Sequence, residues 1–97
     1  MKVSDVTLQN VMDFLRLDMP TEIEQAELSA MMTAALNYIV GYTGLTEEEI
    51  DEHEDITIAY QVLIADMFDQ RNNQIEKPTY VNRTVQSILS LYRVNLL

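Results

Sequence analysis

Apolar side chains return at helical spacing along almost the whole of this chain, and runs that alternate apolar with polar residues are nearly absent. A helix with one apolar stripe must bury it against other helices, so the pattern commits the chain to an all-α bundle. Thr7 is expected to cap a first helix that carries Leu8, Val11, Met12 and Leu15 on one face, and Pro20 keeps it from running on. Thr21 followed by Glu24 has the form of a capping box, in which each side chain satisfies a backbone donor of the other's residue. It opens the longest helix, about 22 to 42, with Leu28, Met31, Met32, Ala35, Leu36, Ile39 and Val40 as a wide apolar stripe. Gly44 stands where a left-handed residue would close that helix.

A second capping pair, Thr46 and Glu49, predicts a short acidic helical turn near Glu47 to Glu52. A third main helix is expected over about 55 to 71, with Asp55 as N-cap and Ala59, Val62, Leu63, Met67 and Phe68 along it. Asp66 falls beside that stripe and needs a partner or water if buried. Residues 72 to 80 lack periodicity and read as a loop, and a last helix, about 82 to 92, carries Val85, Ile88, Leu89 and Tyr92. The expected fold is a single all-α domain over residues 1–97, a small bundle of four main helices with the acidic turn between the second and third. A core of this size buries roughly 60 to 68% of the unfolded chain's surface. Association with further copies would therefore add useful stability.

The chain has no cysteine, which fits a reducing cytosol and excludes both disulfides and thiolate chemistry. MKVSDVTLQN has one Lys and no apolar run, so no signal peptide is expected there, and no stretch is long and apolar enough to cross a bilayer. The formal charge of −10 argues against stable DNA binding, which depends on Lys and Arg neutralising phosphates. The imbalance is uneven: residues 77–97 contain Lys77, Arg83 and Arg93 and no acid. That segment is the expected place for docking on an acidic partner.

Seven carboxylates fall within residues 47–55: Glu47, Glu48, Glu49, Asp51, Glu52, Glu54 and Asp55. Read as a calcium loop, the run offers Asp51, His53 and Asp55 as its first ligands, but Ile56 replaces the required Gly and Val62 the bidentate Glu. Read as half of a carboxylate-bridged di-metal site, it has Ile50 where Glu-x-x-His needs Glu. One His and no Cys make zinc improbable. The acids are expected to form an electronegative surface that favours two helix N-termini. His53 is the one histidine, the serines lie in no nucleophile elbow, and two glycines cannot build a phosphate loop. No enzyme, metal or cofactor is expected.

Six methionines are read chiefly as core, with a subunit interface as the alternative for Met31, Met32 and Met67. Tyr38 and Tyr42, one helical turn apart beside Gly41, are candidates for covering the core edge or for a subunit contact.

Four segments in order, Thr7 to Asp18 (TLQNVMDFLRLD), Tyr38 to Gly44 (YIVGYTG), Ile64 to Arg71 (IADMFDQR) and Ser87 to Arg93 (SILSLYR), give the chain a further meaning. Together they resemble the signature of tailed-phage head-tail connector proteins, also labelled phage DNA-packaging proteins. Leu15-Arg16-Leu17-Asp18 matches the family's Leu-Arg-Leu/Ile-Asp element, and Tyr38, Ile39, Tyr42, Thr43 and Gly44 match its Tyr-Ile-x-x-Tyr-Thr-Gly element. Phe68 and Arg71, then Leu89, Tyr92 and Arg93, match the remaining two. The acidic segment after Gly44, and the lack of a Pro just before Tyr92, depart from the usual pattern. The resemblance implies a homo-oligomeric ring, twelve-fold on the portal, that binds the portal protein after DNA packaging and offers a platform to the stopper or tail. It also implies a path from the host bacterial cytoplasm during assembly to the head-tail interface of the virion. Arg83, Tyr92, Arg93, Leu96, Leu97, Tyr38 and Tyr42 are the candidate portal or subunit contacts, and DNA would pass through the ring without sticking.

The rival reading is a small acidic regulator that binds a protein target by imitating the charge of DNA. Such a mimic spreads its carboxylates over an extended surface, whereas here seven of sixteen fall between residues 47 and 55.

Overall fold

The computed structural model describes residues 1–72 and 83–93. It is all-α: a 3-10 turn, Val3–Asp5, precedes α1 (Leu8–Phe14), α2 (Glu22–Thr43), α3 (Glu47–Ile50), α4 (Glu54–Asn72) and α5 (Arg83–Ser90). Four main helices and one short acidic helix between the second and third match the architecture expected from periodicity. The expected loop over 72 to 80 lies, beyond residue 72, outside the described residues.

Local chemistry sets the helix ends. Thr7, Thr21 and Thr46 each accept from the backbone N–H three residues on, while Asn10, Glu24 and Glu49 reach back to the N–H of the capping residue. α2 ends at Gly44, whose φ of 77° suits glycine and whose N–H bonds the Val40 carbonyl at 2.9 Å. Thr43 is fully buried just before it, and its hydroxyl donates to the Ile39 carbonyl at 2.7 Å and accepts from the Leu45 N–H at 3.2 Å.

α1 stops earlier than Pro20 requires. Arg16 takes a left-handed conformation, φ 57°, so its N–H reaches the Asp13 carbonyl and the Leu17 N–H reaches that of Met12. These two bonds are the Schellman arrangement, here built on an arginine in place of the usual glycine. Met19, just before Pro20, is also left-handed at φ 52°.

The core runs between α2 and α4, and α5 lies against α4. α2 contributes Leu28, Ala35 and Ile39, and α5 contributes Val85 and Leu89. α4 buries Ile56, Ala59, Tyr60, Ile64 and Phe68. Of the α4 positions expected inside, Val62, Leu63 and Met67 are only partly buried, and the fully enclosed Ile56 and Ile64 are additions. Asp66 is half-buried, with access to water. The 3-10 turn buries Val3 against the same core, and Val6 follows it inside. Met31 and Met32 pack on the core's margin.

Candidate functional site

The C-terminal ends of α2 and α5 meet the N-terminal end of α4 at one corner. α2 stops at Gly44, and α3 turns the acidic segment back so that α4 can begin at Glu54. α4 therefore opens one residue before the expected N-cap, leaving Asp55 inside its first turn. There the Asp55 carboxylate serves α5: the Tyr92 hydroxyl donates to both of its oxygens, at 2.8 and 2.7 Å. The His53 ring lies 4.1 Å from the Tyr92 ring, tilted by 30°. The hydrogen bond to Asp55, then partial burial and the carboxylate's charge, push the Tyr92 phenol above its usual range. It stays neutral and serves as a donor.

A second contact holds the same end of α5. Tyr38 and Tyr42 stack with ring centroids 6.0 Å apart and planes 18° from parallel. The Arg93 guanidinium lies over Tyr42, 5.3 Å from the ring centroid, where the ring's negative face attracts a cation. The Tyr42 and Ser90 hydroxyls are 3.1 Å apart and hydrogen-bonded. Tyr38 remains 37% exposed and Leu91, beside Tyr92, 75%. The corner thus offers a stacked aromatic pair, an exposed guanidinium and an exposed leucine, a set suited to recognising another protein.

Of the sequence candidates, Tyr38, Tyr42, Tyr92 and Arg93 come together here. Arg83 is exposed at the far end of α5, about 10 Å from Ser90 along the helix by its rise per residue. Lys77, Leu96 and Leu97 lie outside the described residues. His53 and Ser90 are participants that the sequence alone did not reveal, since only the tertiary fold brings them to these partners.

The acidic segment is not uniform. Glu47, Glu48, Glu49, Glu52 and Glu54 are exposed, whereas Asp51 and Asp55 are half-buried on polar partners. Asp51 accepts from the Ser4 backbone N–H at 3.0 Å. Hydrogen bonding from the Ser4 side chain and backbone, with Lys2 nearby, holds this carboxyl below its usual range against a small opposing effect of burial. Thr57 donates to the Met1 carbonyl at 2.7 Å, so the N-terminal segment is pinned at two places. A cleft of about 470 Å³ opens beside Asp55, lined by Met1, Glu54, Thr57, Ile58 and Gln61. An ion pair at its edge, Met1 ammonium to Glu54 at 3.5 Å, is solvent-exposed and contributes at most about 1 kcal/mol.

Among the described residues, no group of three or more His, Asp or Glu side chains converges as metal ligands would. No helix among them is long and apolar enough to cross a membrane. Compared with family models, curated proteins and solved structures, the chain gives no significant match.

Proposed function

We propose that this chain is a structural subunit of a phage or prophage head-tail connector, a ring that docks on the portal after DNA packaging and carries the stopper or tail. The observation that supports it is the meeting of two separate segments of the resemblance, Tyr38 to Gly44 and Ser87 to Arg93, at one exposed corner. Tyr38 and Tyr42 from the first stack beneath Arg93 of the second, and Ser90 hydrogen-bonds Tyr42. A third segment ends in the Arg16 turn that closes α1. In this reading the motif residues hold helix ends in place and present a contact surface, and the protein's role is assembly, not catalysis. The exposed acids Glu47, Glu48 and Glu49 give the ring an electronegative surface that repels the packaged genome.

The test mixes the purified chain with purified tailed-phage portal protein and images the product by negative stain. A ring added to the portal vertex is the expected result. A chain that never joins the portal, at any concentration, ends the connector reading.

A further inference from the structure

The cleft beside Asp55 has both of its sides fixed by hydrogen bonds between distant parts of the chain. On one side Thr57 donates to the Met1 carbonyl at 2.7 Å and holds Met1 against α4. On the other the Tyr92 hydroxyl donates to Asp55 at 2.7 and 2.8 Å and brings the end of α5 to the same turn. Between them lies Ile58, 53% exposed, and Met1 itself is 56% exposed. A lone exposed isoleucine is ordinary on a protein surface. Here two exposed apolar side chains share one concave space of about 470 Å³, a volume in the range of clefts that hold a ligand.

The occupant follows from where the described residues stop. Arg93 comes directly after Tyr92, and the sequence continues with Val94, Asn95, Leu96 and Leu97. The chain therefore leaves the described residues beside the Asp55 side of the cleft. Four extended residues reach roughly 13 Å. The cleft runs from Asp55 to Gln61, about 9 Å along the axis of α4, so the reach is sufficient. Chemistry agrees with reach. Residues 94–97 carry no charged side chain, so Glu54 and Asp55 do not repel them, and Leu96 and Leu97 match the apolar surface of Ile58 and Met1. Asn95 brings amide donors that the Glu54 carboxylate or the Gln61 side-chain carbonyl can accept.

We infer that this cleft is the seat of the chain's own segment after Arg93, residues 94–97, with Leu96 and Leu97 set against Ile58 and Met1. The segment then acts as a strap that ties the end of α5 across α4 to the N-terminal residues. The inference uses neither ring nor portal, so it stands or falls apart from the connector reading.

The chain has no cysteine, so a single introduced one reports on a single place. Ile58→Cys keeps a small apolar side chain in the cleft. Its reaction with iodoacetamide is timed in the full chain, in a chain ending at Arg93, and in a full chain carrying Leu96→Asp and Leu97→Asp. Circular dichroism checks that each keeps the wild-type helicity, and Ala34→Cys, exposed on α2, is the control. The full chain is expected to react at least about fivefold slower at position 58 than either altered chain, with no difference at position 34. Equal rates at position 58 in the folded chains overturn the inference. A slowing that grows with protein concentration gives the cleft to a neighbouring copy's segment and also overturns it. So does an equal slowing at position 34, which would show the segment acting on the whole fold. Nuclear Overhauser contacts from the Leu96 or Leu97 methyl groups to Ile58 in the unaltered chain give a reading that needs no variant, and their absence overturns the inference as well.

Discussion

Tyr92 donates one hydroxyl to both carboxylate oxygens of Asp55, at 2.8 and 2.7 Å, and so joins the end of α5 to the first turn of α4 across 37 residues of sequence. The Tyr92 phenol is raised by that bond, which fixes the sign of its pH dependence. The stabilisation is complete below the phenol's unfolded pKa and is lost as pH rises through the folded one.

Tyr92→Phe is accordingly expected to lower the melting temperature near neutral pH. It should also remove the part of the alkaline destabilisation that Tyr92 contributes. Thermal melts from pH 7 to 11 on wild type, Tyr92→Phe, Asp55→Asn and the double variant check this. Strictly additive effects would show that the two residues do not act through each other.

Asp51 gives a pH dependence of opposite sense. Its folded pKa is depressed by Ser4, so the stability it adds is present above the unfolded value and disappears as pH falls through the folded one. Asp51→Asn should flatten the acid limb of a stability profile measured between pH 5 and 2. The amide of Ser4 should exchange with deuterium faster in the variant at neutral pH.

Core burial sets the largest effects. Leu28 and Ile39 are fully enclosed between α2 and its neighbours, and truncating either to Ala is expected to cost about 2 to 5 kcal/mol by chemical denaturation. Ile23→Ala, on the outward face of the same helix, should change monomer stability by no more than about 0.5 kcal/mol.

Left-handed positions offer a paired test. Gly44→Ala forces a Cβ into φ 77° and is expected to cost about 1 to 2 kcal/mol. Arg16→Gly relieves the same conflict and is expected to add up to about 1 kcal/mol, offset in part by the freer unfolded chain. Opposite signs in urea melts would support the backbone argument, and a stabilising Gly44→Ala would refute it.

Much of the fold was legible because helix boundaries depend on neighbours in sequence. Thr21 with Glu24, Thr46 with Glu49, and Gly44 mark ends through contacts a few residues apart, and the structure uses each as expected. α4 was harder, since Ile56, Ala59, Tyr60, Val62, Leu63 and Ile64 put apolar groups on more than one side. Periodicity cannot say which side faces α2, and the chosen stripe missed Ile56 and Ile64. Arg16 hid the end of α1 because arginine carries no signal for a left-handed turn. The candidate corner was half visible: Tyr38, Tyr42, Tyr92 and Arg93 stood out as residue types. Their joining to Asp55, His53 and Ser90 depends on distant segments meeting, and Asp55 had a plausible local task as a cap.

The pinned N-terminal segment also bears on the order in which the molecule forms. Ser4 bonds Asp51, and Thr57 bonds the Met1 carbonyl, so residues 1 to 5 acquire these partners only after α3 and the start of α4 have been synthesised. Because such long-range closures come late and slow folding, a nascent chain can pair α1 with α2 while the 3-10 turn still waits for its partners. Native-state hydrogen exchange should then find the 3-10 turn opening before α2 does, as a separate low-energy unit that detaches first and docks last.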